Sequence, residues 1–400
     1  MNISVEDATA QKSIFPLAKP DGYLAGFLLS FLATAGLFYV NIMAAIVDGL
    51  VSGLGLTDSE AGNIGSANIY GAALGALVVI FLVKRIPWRL AALIALVTLI
   101  LIDLISTVIT APEVLIVIRL IHGIVGGMLV GVSYAVIART GKADRTFGIL
   151  LFVQFGLGGL GVMTLPKLVP IYGAQSLFFA LALFSFVTLL MLPFLDHYPA
   201  KKADKQVTTT QVEWSPLVLT LLAIFLFQAA NMALLAYIIR LGMDYGLSRS
   251  YVSTALGLAT WVALAGPGLV MFMGVRFGRF WPLALVMILT LMGTVAFHFS
   301  GEPWVYLVAN CGTGITWGMV MAYLLGMAAQ FDAAGRTAAA AGFISKLGLA
   351  SGPMIAGQLL ANGAGFPALI NFAFVALLLS MVVMLFPAFR LDRNRKTGQH

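Results

Sequence analysis

The chain has 400 residues, of which 60% are hydrophobic and only 10% charged, and its mean hydropathy is +1.00. Soluble domains carry charge at nearly a quarter of positions, so a water-soluble enzyme or binding module is excluded and an integral membrane protein is expected. A lone Cys311 and four scattered histidines exclude a disulfide framework or a metal cluster, so neither metal nor cofactor is expected; the net charge of +7 sits in loops and tail rather than on one basic face, which argues against nucleic acid.

The first 20 residues are polar and carry Lys12 and Lys19, and the apolar run behind them is too long for a cleavable signal, so the first span is expected to serve as an uncleaved targeting signal. Apolar runs broken by charge, Gly or Pro place twelve transmembrane helices at roughly 23–47, 61–83, 90–110, 114–138, 147–166, 174–195, 216–240, 250–274, 282–299, 304–328, 337–360 and 366–387. The longest polar stretch, "DHYPAKKADKQVTTTQVEWSP" (196–216), divides the chain. The expected organisation is a tail at 1–22, a six-helix bundle at 23–195, a linker at 196–215, a second six-helix bundle at 216–387 and a tail at 388–400. An even count puts both termini on one side. That side receives Lys84, Arg85, Arg89, Arg139, Lys142, Arg145, Lys201, Lys202, Lys205, Arg276, Arg279, Arg336 and the basic tails, the other only Lys167, Arg240 and Arg249, so the positive-inside rule makes both termini cytoplasmic. Trp88, Trp214, Trp281 and Trp304 lie near span ends as interfacial anchors, whereas Trp261 and Trp317 lie deeper and suit packing or a cavity wall.

The two halves repeat. Shifted by 191 residues, "RLIHGIVGGM" (119–128) lies over "NCGTGITWGM" (310–319), matching Gly123 to Gly314, Gly127 to Gly318 and Met128 to Met319, with Arg119 falling on Asn310. "QFGLGG" (154–159) aligns with "KLGLAS" (346–351) at nearly the same shift, each after an Arg-Thr pair, and the loops ending in Trp88 and Trp281 align at 193. Three separated segments in near register point to tandem duplication of a six-span unit, an even number that preserves orientation.

Six plus six spans, a polar central loop and a parallel repeat resemble the major facilitator superfamily over essentially the whole chain. "RLIHGIVGG" resembles the family's Arg-x-x-Gln-Gly signature, with His122 where glutamine is usual, and "GVRFGRFWP" (274–282) resembles its basic Gly-Arg loop, of which "KRIPWR" (84–89) is a degenerate counterpart. Both loops lack the family's aspartate, Val275 standing there in the second half. "GLGGLGVMTLP" (156–166) faintly echoes a drug-antiporter signature, and "GLASGPMIAG" (348–357) is closer but lies in the other half. The resemblance implies an all-α, two-bundle, pseudo-symmetric transporter that opens a midplane site alternately to each side. The distribution of residues agrees: spans one, two, four, five, seven, eight, ten and eleven hold nearly all the intramembrane polar groups and glycines, the small residues that let helices approach and slide.

An arginine at a helix centre is costly in a bilayer, which gives Arg119 a use or a partner. Asp103 and Arg119 each lie about two turns below the ends of antiparallel spans joined by "TAPEV" (110–114), at a similar depth of about 10 Å. An ion pair is geometrically possible there, and protonating Asp103 would then release Arg119 to a substrate carboxylate, with His122, one turn along, available as a relay. A static pair that aids insertion and a packing histidine are the alternatives. Lys346 either faces the cavity, as its polar repeat equivalent Gln154 suggests, or snorkels to the interface. Asn41 and its near-equivalent Asn231, with Tyr70, Gln228, Asn310 and Trp317, are expected to line the path, whereas Asp48, Glu60 and Arg240 are expected to be solvated at the outer mouth. A cavity holding Arg119 and Lys346 would favour an organic anion moved by proton-coupled secondary transport. If Arg119 stays paired and Lys346 snorkels, the cavity is neutral, and export of an amphipathic drug-like solute against protons is the better reading. Soft-metal transport is disfavoured, because the seventeen methionines show no clustered pattern. A polytopic membrane enzyme using Asp103 and His122 is the alternative from another class, but the short loops carry no further catalytic constellation. No nucleotide-binding loop is visible. The expected setting is a monomer in a bacterial inner membrane whose partners are a small molecule, protons and lipid.

Overall fold

A computed structural model of the chain describes residues 16–82, 87–198, 214–273, 276–331 and 336–397. Residues 1–15, which carry Lys12, most of the expected linker (199–213), Lys84, Arg85 and Val275 lie outside the described residues. Fourteen α-helices run in chain order among the described residues: α1 (Tyr23–Asn41), α2 (Met43–Leu54), α3 (Asp58–Leu82), α4 (Trp88–Ser106), α5 (Pro112–Ile137), α6 (Ala143–Tyr172), α7 (Gln175–Met191), α8 (Trp214–Asp244), α9 (Arg249–Val262), α10 (Ala265–Met273), α11 (Phe280–Ala296), α12 (Pro303–Ala328), α13 (Arg336–Ala361) and α14 (Gly365–Thr397).

Among the described residues, ten helical segments are long and apolar enough to cross a bilayer, α9 and α10 counting as one, and these make the protein an integral, multi-pass membrane protein. The second and eleventh expected spans, α3 and α13, have the length, 25 and 26 residues, but fall outside that apolar set. The reason is in their packing: α3 lies against α5 and α13, and α13 against α8 and α3, so their Ser, Asn and Gly face protein rather than lipid. The apolar exposure is carried instead by α4, α7, α11 and α14, through residues such as Leu101, Leu183, Met292 and Val382.

The repeat reappears in the element bounds: α3 starts at Asp58 and α9 at Arg249, α5 at Pro112 and α12 at Pro303, both pairs 191 residues apart. Two passes are interrupted where their counterparts are continuous, at Ile42 between α1 and α2 and at Ala263–Leu264 between α9 and α10. Helix α6 runs on to Tyr172 through Pro166 and Pro170, beyond the expected end at 166, and α14 runs through Pro387 to Thr397, so most of the expected tail 388–400 continues a helix. That extension has a use. Asp392 accepts from the Arg279 and Phe280 N–H groups at 2.7 and 2.9 Å, placing at the start of α11 a carboxylate that the loop sequence lacks.

At the corresponding end of the first half, Ala18 N–H donates to the Phe194 carbonyl, and Asp21 accepts from Gly141 N–H at 2.7 Å, tying the segment before α1 under the bundle. Tyr198 donates to the Pro20 carbonyl, and burial, with Asp196 and Asp21 nearby, pushes its hydroxyl up to about 12, so it remains a donor at neutral pH. Trp88 packs beside Tyr198 and is buried, so it is a core residue here, unlike the exposed Trp214, Trp281 and Trp304.

The glycines of "RLIHGIVGG" are explained by the α3–α5 crossing. A methyl group on Gly123 would run into the Asn68 carbonyl and one on Gly127 into that of Ala72, backbone that cannot move aside. Gly123→Val is expected to cost at least about 1–3 kcal/mol by overpacking and to lower the melting temperature in detergent. Gly148→Ala, where an added Cβ meets no atom within 4 Å, is expected to leave it unchanged.

Candidate functional site

The ion pair that the sequence makes possible is present. Arg119 on α5 donates through Nη1 to Asp103 Oδ1 on α4 at 2.7 Å, and both side chains are fully buried. The guanidinium also bonds the Ser106 hydroxyl and lies 4.9 Å from the Phe178 ring and 5.8 Å from that of Tyr39. His122 Nε2 is 3.4 Å from the same carboxylate oxygen. Asn68, on α3, donates through Nδ2 to the Arg119 carbonyl at 3.2 Å and contacts His122 Nδ1 at 2.8 Å. A carbonyl only accepts, so the first bond fixes the amide, and His122 Nδ1 is then the acceptor with its ring proton on Nε2, facing Asp103. Arg119, Asp103, Ser106, His122 and Asn68 form one polar cluster inside the first half, in which Asp103 Oδ2 has no partner among the described residues.

A separate cavity of about 260 Å³ lies between the halves, walled by α1, α2, α6, α8, α9, α11, α12 and α13, with Ala263 at the break between α9 and α10 and Asn41 and Ala44 on either side of the break at Ile42. Of the expected site residues, Asn41, Gln154, Asn231, Asn310 and Trp317 line it, joined by Thr260, Thr294 and Thr313, which the sequence reading missed. Gln228 stands one bond behind, accepting from the Trp317 indole at 2.8 Å and donating to Ser345 at 2.8 Å. Most of the remaining lining is Leu, Val, Ile, Ala, Met and Phe.

Among the described residues no lining residue is charged, so the expected positive cavity is not formed by them. Arg119 is held within the first half by Asp103, and Lys346 lies outside the lining, half-buried on α13, one turn from Leu349, which does line it. Among the described residues Lys346 makes no ion pair. Tyr70 also lies outside the lining and bonds Ser351 across the halves at 2.9 Å.

The expectation that Asp48 and Arg240 are solvated is corrected. Asp48 is buried and pairs with Arg249 of the other half, and Arg240 Nε lies 2.9 Å from Asp58 Oδ1. The same end carries Tyr237 donating to the Asp58 carbonyl at 2.5 Å and Gln358 to Ser59 at 2.9 Å; one turn deeper, Met354 N–H donates to Ser66 at 2.9 Å. Glu60 is different: among the described residues its carboxylate bonds only Thr57. The α2–α3 end of the cavity is thus shut by ion pairs, each joining an aspartate of the first half to an arginine of the second.

A sequence model described as the Major Facilitator Superfamily matches residues 26–353. The chain belongs to that superfamily. Solved facilitator-type structures agree on the fold: the nucleoside transporter NupG superposes with a TM-score of 0.73 at 13% identity, covering 91% of this chain and 98% of its own. A D-xylose–proton symporter gives 0.68 at 16% identity, with 90% and 97% covered. A bacterial homologue of the human lysosomal transporter Spinster, in an inward-facing and unoccupied conformation, gives 0.67 at 13%, with 93% and 96% covered. No curated protein matches by sequence. As a member of the superfamily, the chain is a transporter rather than an enzyme.

Proposed function

We propose that this facilitator is a proton-coupled secondary transporter that moves a small uncharged, amphipathic organic solute by alternating access, with both termini cytoplasmic. The observation that carries the reading is an uncharged cavity between two halves that polar bridges hold together at one end. By the positive-inside pattern that end faces outward. The closure of this end favours a state open toward the cytoplasm, as in the inward-facing Spinster homologue that it resembles in fold. The organic-anion reading gives way, because neither Arg119 nor Lys346 lines the cavity. Similarity to transporters of nucleosides and of D-xylose supports an uncharged solute, and the xylose–proton symporter supports coupling to protons.

Coupling is assigned to Asp103, Arg119 and His122. Protonating Asp103 removes the counter-charge of a buried guanidinium and unbalances the cluster. Asn68 connects that cluster to the interface between halves: it holds the Arg119 carbonyl and His122, and its neighbours on α3, Ser66 and Tyr70, bond Met354 and Ser351 on α13. A change at Asp103 therefore reaches the surface along which the halves part.

The test needs no known substrate. With Thr260→Cys introduced into a Cys311→Ser background, an impermeant maleimide is applied from each side of proteoliposomes. The expected result is labelling of one cavity position from both sides, in proportions that shift with pH in the parent and not in Asp103→Asn. Labelling from one side only at every pH would defeat alternating access, and unchanged pH dependence in Asp103→Asn would remove Asp103 from coupling.

A further inference from the structure

The polar groups of the cavity are unequally committed. Thr260, Thr294 and Thr313 each donate the hydroxyl hydrogen to a backbone carbonyl one turn back, those of Leu256, Thr290 and Ala309, at 2.8, 2.9 and 2.8 Å. Only their lone pairs remain. Asn231 and Asn310 donate Nδ2 to the Phe227 and Tyr306 carbonyls, both at 2.8 Å, and because a carbonyl only accepts, each carboxamide is fixed with Oδ1 unspent. Gln154 directs Nε2 to Asn41 Oδ1 at 3.0 Å and keeps Oε1, while the Trp317 indole N–H is held by Gln228. Asn41 Nδ2 has no partner but is buried away from the cavity surface. Each amide retains a second hydrogen, yet every hydroxyl and indole donor is consumed, and what the lining offers is mainly oxygen lone pairs.

Such a lining sorts solutes by their own donors. A carboxylate or phosphate brings more acceptors and finds no cation among the lining residues. An ammonium ion finds no carboxylate there, and the Lys346 charge lies one turn along α13 from Leu349. An uncharged solute with O–H or N–H groups satisfies the oxygens, and the apolar remainder of the wall asks for an apolar face on the same molecule. Resting on the transporter reading, we propose that the cavity selects uncharged solutes that carry hydroxyl or N–H donors on an apolar or planar frame, and that Asn231, Asn310, Gln154 and the three threonines are the acceptors that read those donors.

The experiment uses the full chain in detergent and two matched series, followed by isothermal titration: uridine, its tri-O-methyl ether and uridine 5′-monophosphate; and phenyl β-D-glucoside, its tetra-O-methyl ether and phenyl β-D-glucuronide. In at least one series the hydroxylated member is expected to bind, its ether about tenfold or more weakly, and its anion more weakly still. Asn231→Leu, with its melting temperature checked against the parent, is expected to weaken the hydroxylated member several-fold and to leave the ether unchanged. Equal affinity for alcohol and ether, tighter binding of either anion, or no binding by either hydroxylated compound to the folded protein would overturn the proposal. None of these outcomes touches the transporter reading, whose readout is sided labelling and uses neither series.

Discussion

Arg119→Leu lowers the stability of the folded protein by about 3–5 kcal/mol, and adding Asp103→Leu recovers most of the loss. The asymmetry follows from burial. Both side chains of the pair are 0% exposed, so removing the guanidinium leaves a carboxylate in a low dielectric without its cationic partner, whereas removing both charges leaves an apolar site beside the Tyr39 and Phe178 rings. Thermal unfolding in detergent, compared among parent, single and double variants, checks this. A single variant as stable as the parent would mean that water reaches the cluster. The double variant also separates structure from function: restored stability with lost pH dependence of labelling is the outcome expected of a coupling pair, and restored stability with intact pH dependence is that of a static one.

The pair was legible in the sequence because a short helical hairpin places residues at equal depth, and a buried charge demands a counter-charge. Which way Arg119 faces was not. The repeat sets Arg119 over Asn310, and Asn310 lines the cavity while Arg119 points into the first half, so duplicated positions have taken on different surroundings. Asn68 gave no local signal among the several polar residues of α3; its role appears only when the Gly123 and Gly127 crossing brings α3 against α5. The three lining threonines are invisible for a related reason, since hydroxyls bonded to their own helix resemble ordinary intramembrane threonines until a cavity is found beside them. Likewise the polar character of α3 and α13 is a consequence of where they pack, between halves, which hydropathy alone does not report.

The ion pairs at the α2–α3 end were the least legible feature, since they join residues 201 and 182 positions apart. They give the second large expected effect. Asp48→Arg sets two guanidiniums against each other at a buried closure, a juxtaposition worth several kcal/mol, and every 1.4 kcal/mol moves a two-state ratio tenfold. The population open at this end is therefore expected to rise at least tenfold, read as faster labelling of Thr260→Cys by an impermeant reagent applied from the side of the bilayer that this end faces. Asp48→Arg combined with Arg249→Asp is expected to return labelling toward the parent, because the exchanged charges attract again across the same gap. The Asp58–Arg240 pair is expected to respond in the same direction by less, since its side chains are 22% and 26% exposed, whereas that of Asp48 is 1% exposed. The reciprocal exchange is the decisive arm. Recovery in it assigns the effect to attraction between the halves, whereas enhanced labelling in both single and exchanged variants would mean that local packing around Asp48, and not charge, keeps this end shut.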